Sequence, residues 1–223
     1  MTELTSGSSS VRRSLLTRCV KRVIDLLVAV ALIIVTAPIL FLAALCTVVT
    51  SGLPVLYRQQ RVGLHERPFT LYKMRTMRSS TGSEIELLTD ADRLTRTGRL
   101  IRRLSIDELP QLWNVLRGDM SLVGPRPLLD LHLPLYTTEQ RRRHLVRPGL
   151  TGLAQVAGRR EMPFSQRFAL DVRYVDTWTL WLDITLLFRT LVQVMKGSGA
   201  IKDEDISKVD DIGLTTVVKS RGE

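Results

Sequence analysis

Two adjacent carboxylates, Asp107 and Glu108, stand inside a run of arginines. The stretch Thr95 to Pro127 reads TRTGRLIRRLSIDELPQLWNVLRGDMSLVGPRP. Arg96, Arg99, Arg102 and Arg103 precede the two acids. Arg126 follows them, in the stiff loop Gly124-Pro125-Arg126-Pro127. A carboxylate pair beside guanidinium groups and the free N–H groups of a helix start suits phosphate plus a divalent cation. The plainer alternative is a well-capped helix whose acids favour the positive end of its dipole.

The surrounding residues predict how these groups are held. Ser105 with Glu108 three residues on fits a capping box. Leu109, Leu112, Trp113 and Leu116 recur at helical spacing, and Gly118 suits the helix end. Asp107 then lies opposite the apolar stripe, about 120° from the Trp113 direction at ~100° per residue. Val55 to Met77 alternates around Gly63 and Pro68, which predicts a β-hairpin. In register, Lys73 and Arg75 protrude on one side of its second strand, where the plain reading is a solvated face. Arg78 to Arg93 reads as a polar loop over the site.

Further along, Thr138 to His144 is helical and basic, through Arg141, Arg142, Arg143 and His144. Such a run is a solvated face or a contact for anionic headgroups. Arg147 to Arg159 is glycine-rich, so backbone there can approach phosphates closely, with Arg147 and Arg159 supplying charge. Ser165 to Tyr174 reads as a short helix and Leu180 to Met195 as a longer amphipathic one. The longer helix carries Trp181, Ile184, Leu187, Phe188, Leu191 and Met195 on one face, and Asp183, Arg189, Gln193 and Lys196 on the other. Its apolar face is either core or a surface lying in lipid headgroups, with Trp178 and Trp181 at the boundary.

The chain has 223 residues and a formal charge of +10, which implies an anionic partner. Aromatic residues make up only 5%, thin for stacking nucleic-acid bases. Cys19 and Cys46 form no disulfide framework, and the three histidines are too scattered for a zinc motif.

Val23 to Val49 is long and apolar enough to cross a ~30 Å hydrocarbon core. Pro38 interrupts it, as do Asp25 and Thr36. Both flanks are basic: Arg12, Arg13, Arg18, Lys21 and Arg22 before, then Arg58, Arg61, Arg67, Lys73, Arg75 and Arg78 after. Positive-inside logic puts both ends in the cytoplasm, so a helix broken at Pro38 that enters and returns through one leaflet is expected. An ordinary spanning helix is the alternative. A cleaved signal is disfavoured by the long basic leader and long apolar run.

The segments RRLSIDELPQLWNVLRGDMSLVGPRPLL and RPGLTGLAQVAGR resemble the bacterial sugar transferase family, the monotopic phosphoglycosyl transferases, over about Lys21 to Lys196. The chain resembles the minimal form of that family. The resemblance implies transfer of a sugar 1-phosphate from a UDP-sugar to undecaprenyl phosphate, releasing UMP, through a covalent Asp-phosphosugar intermediate. It implies Asp107 as nucleophile and Glu108 as ligand for Mg2+. It also implies Lys73, Arg102, Arg126, Arg147 and Arg159 as phosphate or nucleotide contacts. Ala37-Pro38 stands where the family's re-entrant helix carries Ser-Pro. Leu153 and Ala157 stand where many relatives carry Trp and Asn.

The expected fold is mixed α/β and mostly helical. A basic segment, 1–20, leads to a re-entrant membrane hairpin, 21–50. A small cytosolic catalytic domain, 51–196, then holds the β-hairpin and interfacial amphipathic helices, and a polar tail, 197–223, closes the chain. The expected setting is the cytoplasmic face of a bacterial inner membrane, in contact with membrane lipid. Downstream glycosyltransferases are possible partners, and nucleic acid is not expected. The alternative function is a non-enzymatic, membrane-tethered basic module that binds anionic lipid or nucleic acid.

Overall fold

A computed structural model describes residues 15–78, 93–158, 162–196 and 210–213. Helix α1, Leu15–Ser51, is long and apolar enough to cross a membrane. It starts before the expected boundary, so Arg18, Lys21 and Arg22 lie within it. It also continues through Pro38, where a break into two arms was expected. A proline removes one backbone bond, and the apolar residues on both sides keep helical geometry around it. The Thr36 hydroxyl donates to Leu32 O at 2.7 Å, so it does not serve the Ile34 carbonyl that Pro38 leaves free.

Both limbs of α1 rest on the same globular body. Ala29 is fully buried in the main core, with Val28, Leu32 and Ile33 against it. Ala43, Leu40 and Ala44 pack with Met74, Ile101 and Ile106. Between these contacts Ile34, Val35, Ala37, Pro38 and Ile39 are exposed.

The hairpin forms as expected. Strand β1, Leu56–Val62, pairs antiparallel with β2, Pro68–Met74, with Leu56 opposite Met74 and Val62 opposite Pro68. Phe69 and Leu71 enter the core, and the period of two puts Lys73 on their face. Arg75 lies beyond β2 and is spent on the carbonyls of Met77 and Leu53. It therefore does not join Lys73. The expected loop between Arg78 and Arg93 falls at 79–92, outside the described residues.

Helix α2, Arg96–Arg103, leads through a single 3-10 turn, Ile106–Glu108, into α3, Gln111–Arg117. Leu112 and Val115 are fully buried. Trp113, expected in the buried stripe, is 55% exposed. Asn114 occupies the inward direction instead and reaches the free edge of β2. Its Nδ2 donates to Thr70 O at 2.7 Å, and its Oδ1 accepts from Tyr72 N at 3.2 Å. Gly118 ends α3 with φ of +93°, a conformation that favours glycine.

Strand β3, Ser121–Val123, pairs parallel with β4, Gly149–Thr151. The glycines here pack backbone closely against backbone. A Cβ on Gly149 would lie 2.0 Å from Gly124 N, and one on Gly152 would lie 2.2 Å from Gly124 O. Close approach of these two loops fixes the start of the Gly-Pro-Arg-Pro segment. Gly124 N donates to Thr151 O at 2.8 Å, and Gly149 N to Pro125 O at 2.9 Å.

Short helices α4, Thr138–Arg141, and α5, Leu153–Ala157, lead to α6, Phe164–Thr177, and α7, Leu180–Met195. The basic run at 141–144 is not a solvated face. Arg143 is buried and bound to Asp171, Arg141 to Glu66, and Arg142 to Glu139 and Asp176. Each cation finds a carboxylate because α6 and the hairpin turn deliver acids to it. In α7 the inward side carries one acid beside the fully buried Leu186, whereas Arg189 and Lys196 are exposed. Asp183 is buried and accepts from Lys21, the Tyr174 hydroxyl and Trp178 Nε1. Trp178 is therefore core. Trp181, Ile184, Phe188, Leu191 and Met195 form an exposed apolar stripe.

Candidate active site

Ser105 adopts a left-handed conformation, φ 56° and ψ 22°, and makes no capping bond. The expected capping box does not form, because the Glu108 side chain turns to cations instead. The left-handed residue separates α2 from α3 and seats both acids in the tight turn between them. Such a conformation costs about 1 kcal/mol or more in a residue with a Cβ.

The two carboxylates receive different surroundings. Glu108 Oε1 accepts from Lys73 Nζ at 3.1 Å and from Arg126 Nη2 at 2.9 Å. Burial pushes its pKa upward, but Arg126 and Lys73 outweigh burial and hold it down to about 2. The Asp107 carboxylate accepts no hydrogen bond among the described residues. Burial, then the neighbouring Glu108, push it up to about 6, against the pull of Lys73, Arg102 and Arg126. The group remains mostly ionised at neutral pH.

Arg126 is placed from behind. Its backbone carbonyl accepts from buried Arg143 at 2.7 Å, and the following Pro127 carbonyl accepts from Arg61 at 3.4 Å. Arg102 Nε donates to Thr76 Oγ1 at 2.8 Å and lies close enough to Asp107 to stabilise its charge. Lys73, Arg102, Asp107, Glu108 and Arg126 therefore converge. Arg147 does not join them. Its Nε donates to Gly118 O at 2.8 Å, at the opposite end of α3. Arg159 lies outside the described residues.

Sequence reasoning missed three contributors. Asn114 sets α3 against β2, signalled only by a polar residue at an inward position. Arg22 donates to the Val115 and Leu116 carbonyls at 2.8 and 3.3 Å, closing the far end of α3. Arg61 lines a small cleft with Leu71, Lys73, Gln111, Arg126 and Pro127.

Among the described residues no three acids, histidines or cysteines cluster for a metal. Two adjacent carboxylates nevertheless fit a magnesium ion, which takes one or two carboxylates together with substrate phosphates and waters. Glu108 offers Oε2 for this, since its two cations share Oε1.

The arrangement suits an uncommitted oxygen nucleophile beside an anchored acid, with cations facing both. The family model described as Bacterial sugar transferase matches residues 16–197. The chain belongs to the bacterial sugar transferase family. It is 52% identical over 179 residues to the uncharacterized sugar transferase EpsL of Bacillus subtilis, covering 80% of this chain and 89% of that protein. It is 46% identical over 191 residues to a UDP-glucose:undecaprenyl-phosphate glucose-1-phosphate transferase of Caulobacter vibrioides, covering 81% and 71%. It is 38% identical over 201 residues to the undecaprenyl-phosphate galactose phosphotransferase of Salmonella typhimurium, covering 82% of this chain but only 42% of that protein. Membership of this transferase family sets aside the non-enzymatic basic module.

Proposed function

We propose that this sugar transferase moves a sugar 1-phosphate from a UDP-sugar to undecaprenyl phosphate at the cytoplasmic face of the bacterial inner membrane. The observation that carries the reading is the unequal treatment of the two adjacent acids. Glu108 is tied to Lys73 and Arg126, while the Asp107 carboxylate is free of hydrogen bonds among the described residues. The named activities of the Caulobacter and Salmonella relatives support the substrate classes.

Asp107 attacks the phosphorus that carries the sugar. Its oxygen forms the new P–O bond as the bridging P–O bond to UMP breaks, leaving an acyl phosphate. An oxygen of undecaprenyl phosphate then attacks the same phosphorus and releases Asp107. The acceptor is already ionised near neutral pH, so neither step needs a general base. A general-base role for Asp107 therefore has little to act on. Lys73, Arg102 and Arg126 hold the phosphoryl oxygens as charge shifts among them. Magnesium at Glu108 would neutralise diphosphate charge and ease departure of UMP.

Membrane attachment follows the same reading. Lys21 near the start of α1 bonds to Asp183, and Thr50 near its end bonds to Thr97, both in the globular body. A helix crossing ~30 Å of hydrocarbon could not return both ends to a body on one side. These contacts favour a re-entrant α1 with residues 34–39 deepest. The exposed stripe of α7 then rests among the headgroups.

The test is a single-turnover assay with a panel of UDP-sugars. UMP should appear before any polyprenyl phosphate is added, in an amount equal to the enzyme, with sugar phosphate on the Asp107 peptide by mass spectrometry. If UMP requires both substrates and no adduct is trapped, direct displacement replaces the covalent route.

A further inference from the structure

Arg61 sits beside the two cations that Glu108 neutralises, yet it has no carboxylate of its own among the described residues. Its Nη1 and Nη2 donate to neutral oxygens, Pro127 O at 3.4 Å and Gln59 Oε1 at 2.5 Å. Its Nε is buried with no partner among the described residues. Burial, then nearby Arg126, lower its pKa to about 10. A guanidinium in this setting is costly unless a negative charge arrives to meet it.

The cleft it lines has a volume of about 20 Å³. That admits one oxygen-sized group, since a single water needs roughly 10–15 Å³ by the same measure. Four of its six lining residues carry nitrogen donors: Arg61, Lys73, Arg126 and Gln111. Gln111 is only 4% exposed, and its side-chain amide makes no hydrogen bond among the described residues. The cleft thus sets Arg61 and the Gln111 side chain beside the two cations already facing Glu108. A neutral water would satisfy the geometry of this set but leave its positive charge uncompensated.

We infer that Arg61 and Gln111 form a phosphoryl-oxygen subsite on the β-hairpin side of Lys73 and Arg126. The inference rests on the proposed transferase reading. The oxygen belongs either to the diphosphate of the donor or to the phosphate monoester of the acceptor. Both share the chemistry of an anionic phosphoryl oxygen, and the two half-reactions separate them.

The experiment compares the full chain in lipid nanodiscs with Arg61→Met and Arg61→Lys. One arm measures the UMP burst against UDP-sugar concentration, and the second measures turnover against polyprenyl phosphate concentration. A third arm follows thermal stabilisation by inorganic phosphate, which needs no turnover. Arg61→Met should raise the half-saturating concentration of one substrate roughly tenfold or more and leave the other within about twofold, by loss of a charge-assisted bond. Arg61→Lys should recover part of the loss. Phosphate should stabilise the wild type and lose that effect in Arg61→Met. If the wild type responds to phosphate through Arg61 but releases no UMP, the subsite stands and the transferase reading falls. Unchanged constants with an unchanged phosphate response overturn the subsite and leave a water there. An equal loss in both half-reactions, with a lowered melting temperature and no change in phosphate response, also overturns it. Arg61 then only props the Pro127 loop.

Discussion

Replacing Asp107 with Asn should abolish transfer and yet stabilise the fold. The Asp107 pKa rises from 3.8 to about 6 in the folded protein. Its ionised form is therefore disfavoured there relative to the unfolded chain. For an acid raised in this way, the stabilising contribution is complete below pH 3.8 and is lost as pH rises through about 6. The shift corresponds to about 3 kcal/mol at most at pH 8, falling to roughly half a kcal/mol at pH 4. Asn keeps the size and removes the charge, so it escapes this cost. At about 2–4 °C per kcal/mol for a chain of this size, Asp107→Asn should melt several degrees higher at pH 8. The assay is a melting curve of both proteins from pH 4 to pH 8 in one lipid composition. The gap should close on acidification. An Asn variant no more stable than wild type at pH 8, or a gap independent of pH, would refute the claim that burial and Glu108 strain Asp107.

Glu108 behaves in the opposite sense. With its pKa lowered from 4.5 to about 2, it contributes about 3 kcal/mol above pH 4.5 that is lost as pH falls through 2. Glu108→Gln should therefore lose stability at neutral pH and cut turnover by orders of magnitude. Its turnover should also need more magnesium, whereas full wild-type activity in a chelator would remove the metal from the mechanism. For topology, Cys19 and a cysteine replacing Ser51 should both be labelled only from the cytoplasmic side, and periplasmic labelling of either rejects the re-entrant helix. In α7, a spin label at Phe188 should be shielded from an aqueous relaxation agent and one at Arg189 should not. Equal accessibility would place the stripe away from lipid. Asn114→Leu should cost about 2–4 kcal/mol, since Thr70 O and Tyr72 N each lose a buried partner. A thermal melt within a degree of wild type would contradict that role.

The sequence carried the local elements well and the long-range pairings poorly. Strand alternation predicted the hairpin, and helical spacing predicted α7, Leu180–Met195, to the residue. Periodicity reports which residues share a face, but not which face turns inward. In α7 the inward side holds the acid Asp183 beside Leu186, because Lys21, Tyr174 and Trp178 arrive to satisfy the carboxylate, and five apolar side chains are left exposed. The same limit applies to Ser105 and Glu108. Their spacing fits a capping box, but Lys73 and Arg126 offer Glu108 charged partners that a local backbone N–H cannot match.

The pairings hidden from the sequence tie the candidate site to the long apolar helix α1. Helix α3 has the two acids before its start and the Arg22 guanidinium of α1 on its last carbonyls. Asn114, midway, fastens it to the strand that carries Lys73. The Lys73–Glu108 contact thus depends on the depth at which α1 holds α3, and on the register at which Asn114 grips β2. Arg22 and Lys21 read as membrane-flanking charge in the sequence, because the hydrogen-bond partners Val115 and Asp183 lie roughly 90 or more residues away. In the fold they bind carbonyls and a buried acid. A long apolar helix attached in this way positions the Asp107–Glu108 turn, so displacing α1 should disturb Glu108 before it disturbs the core.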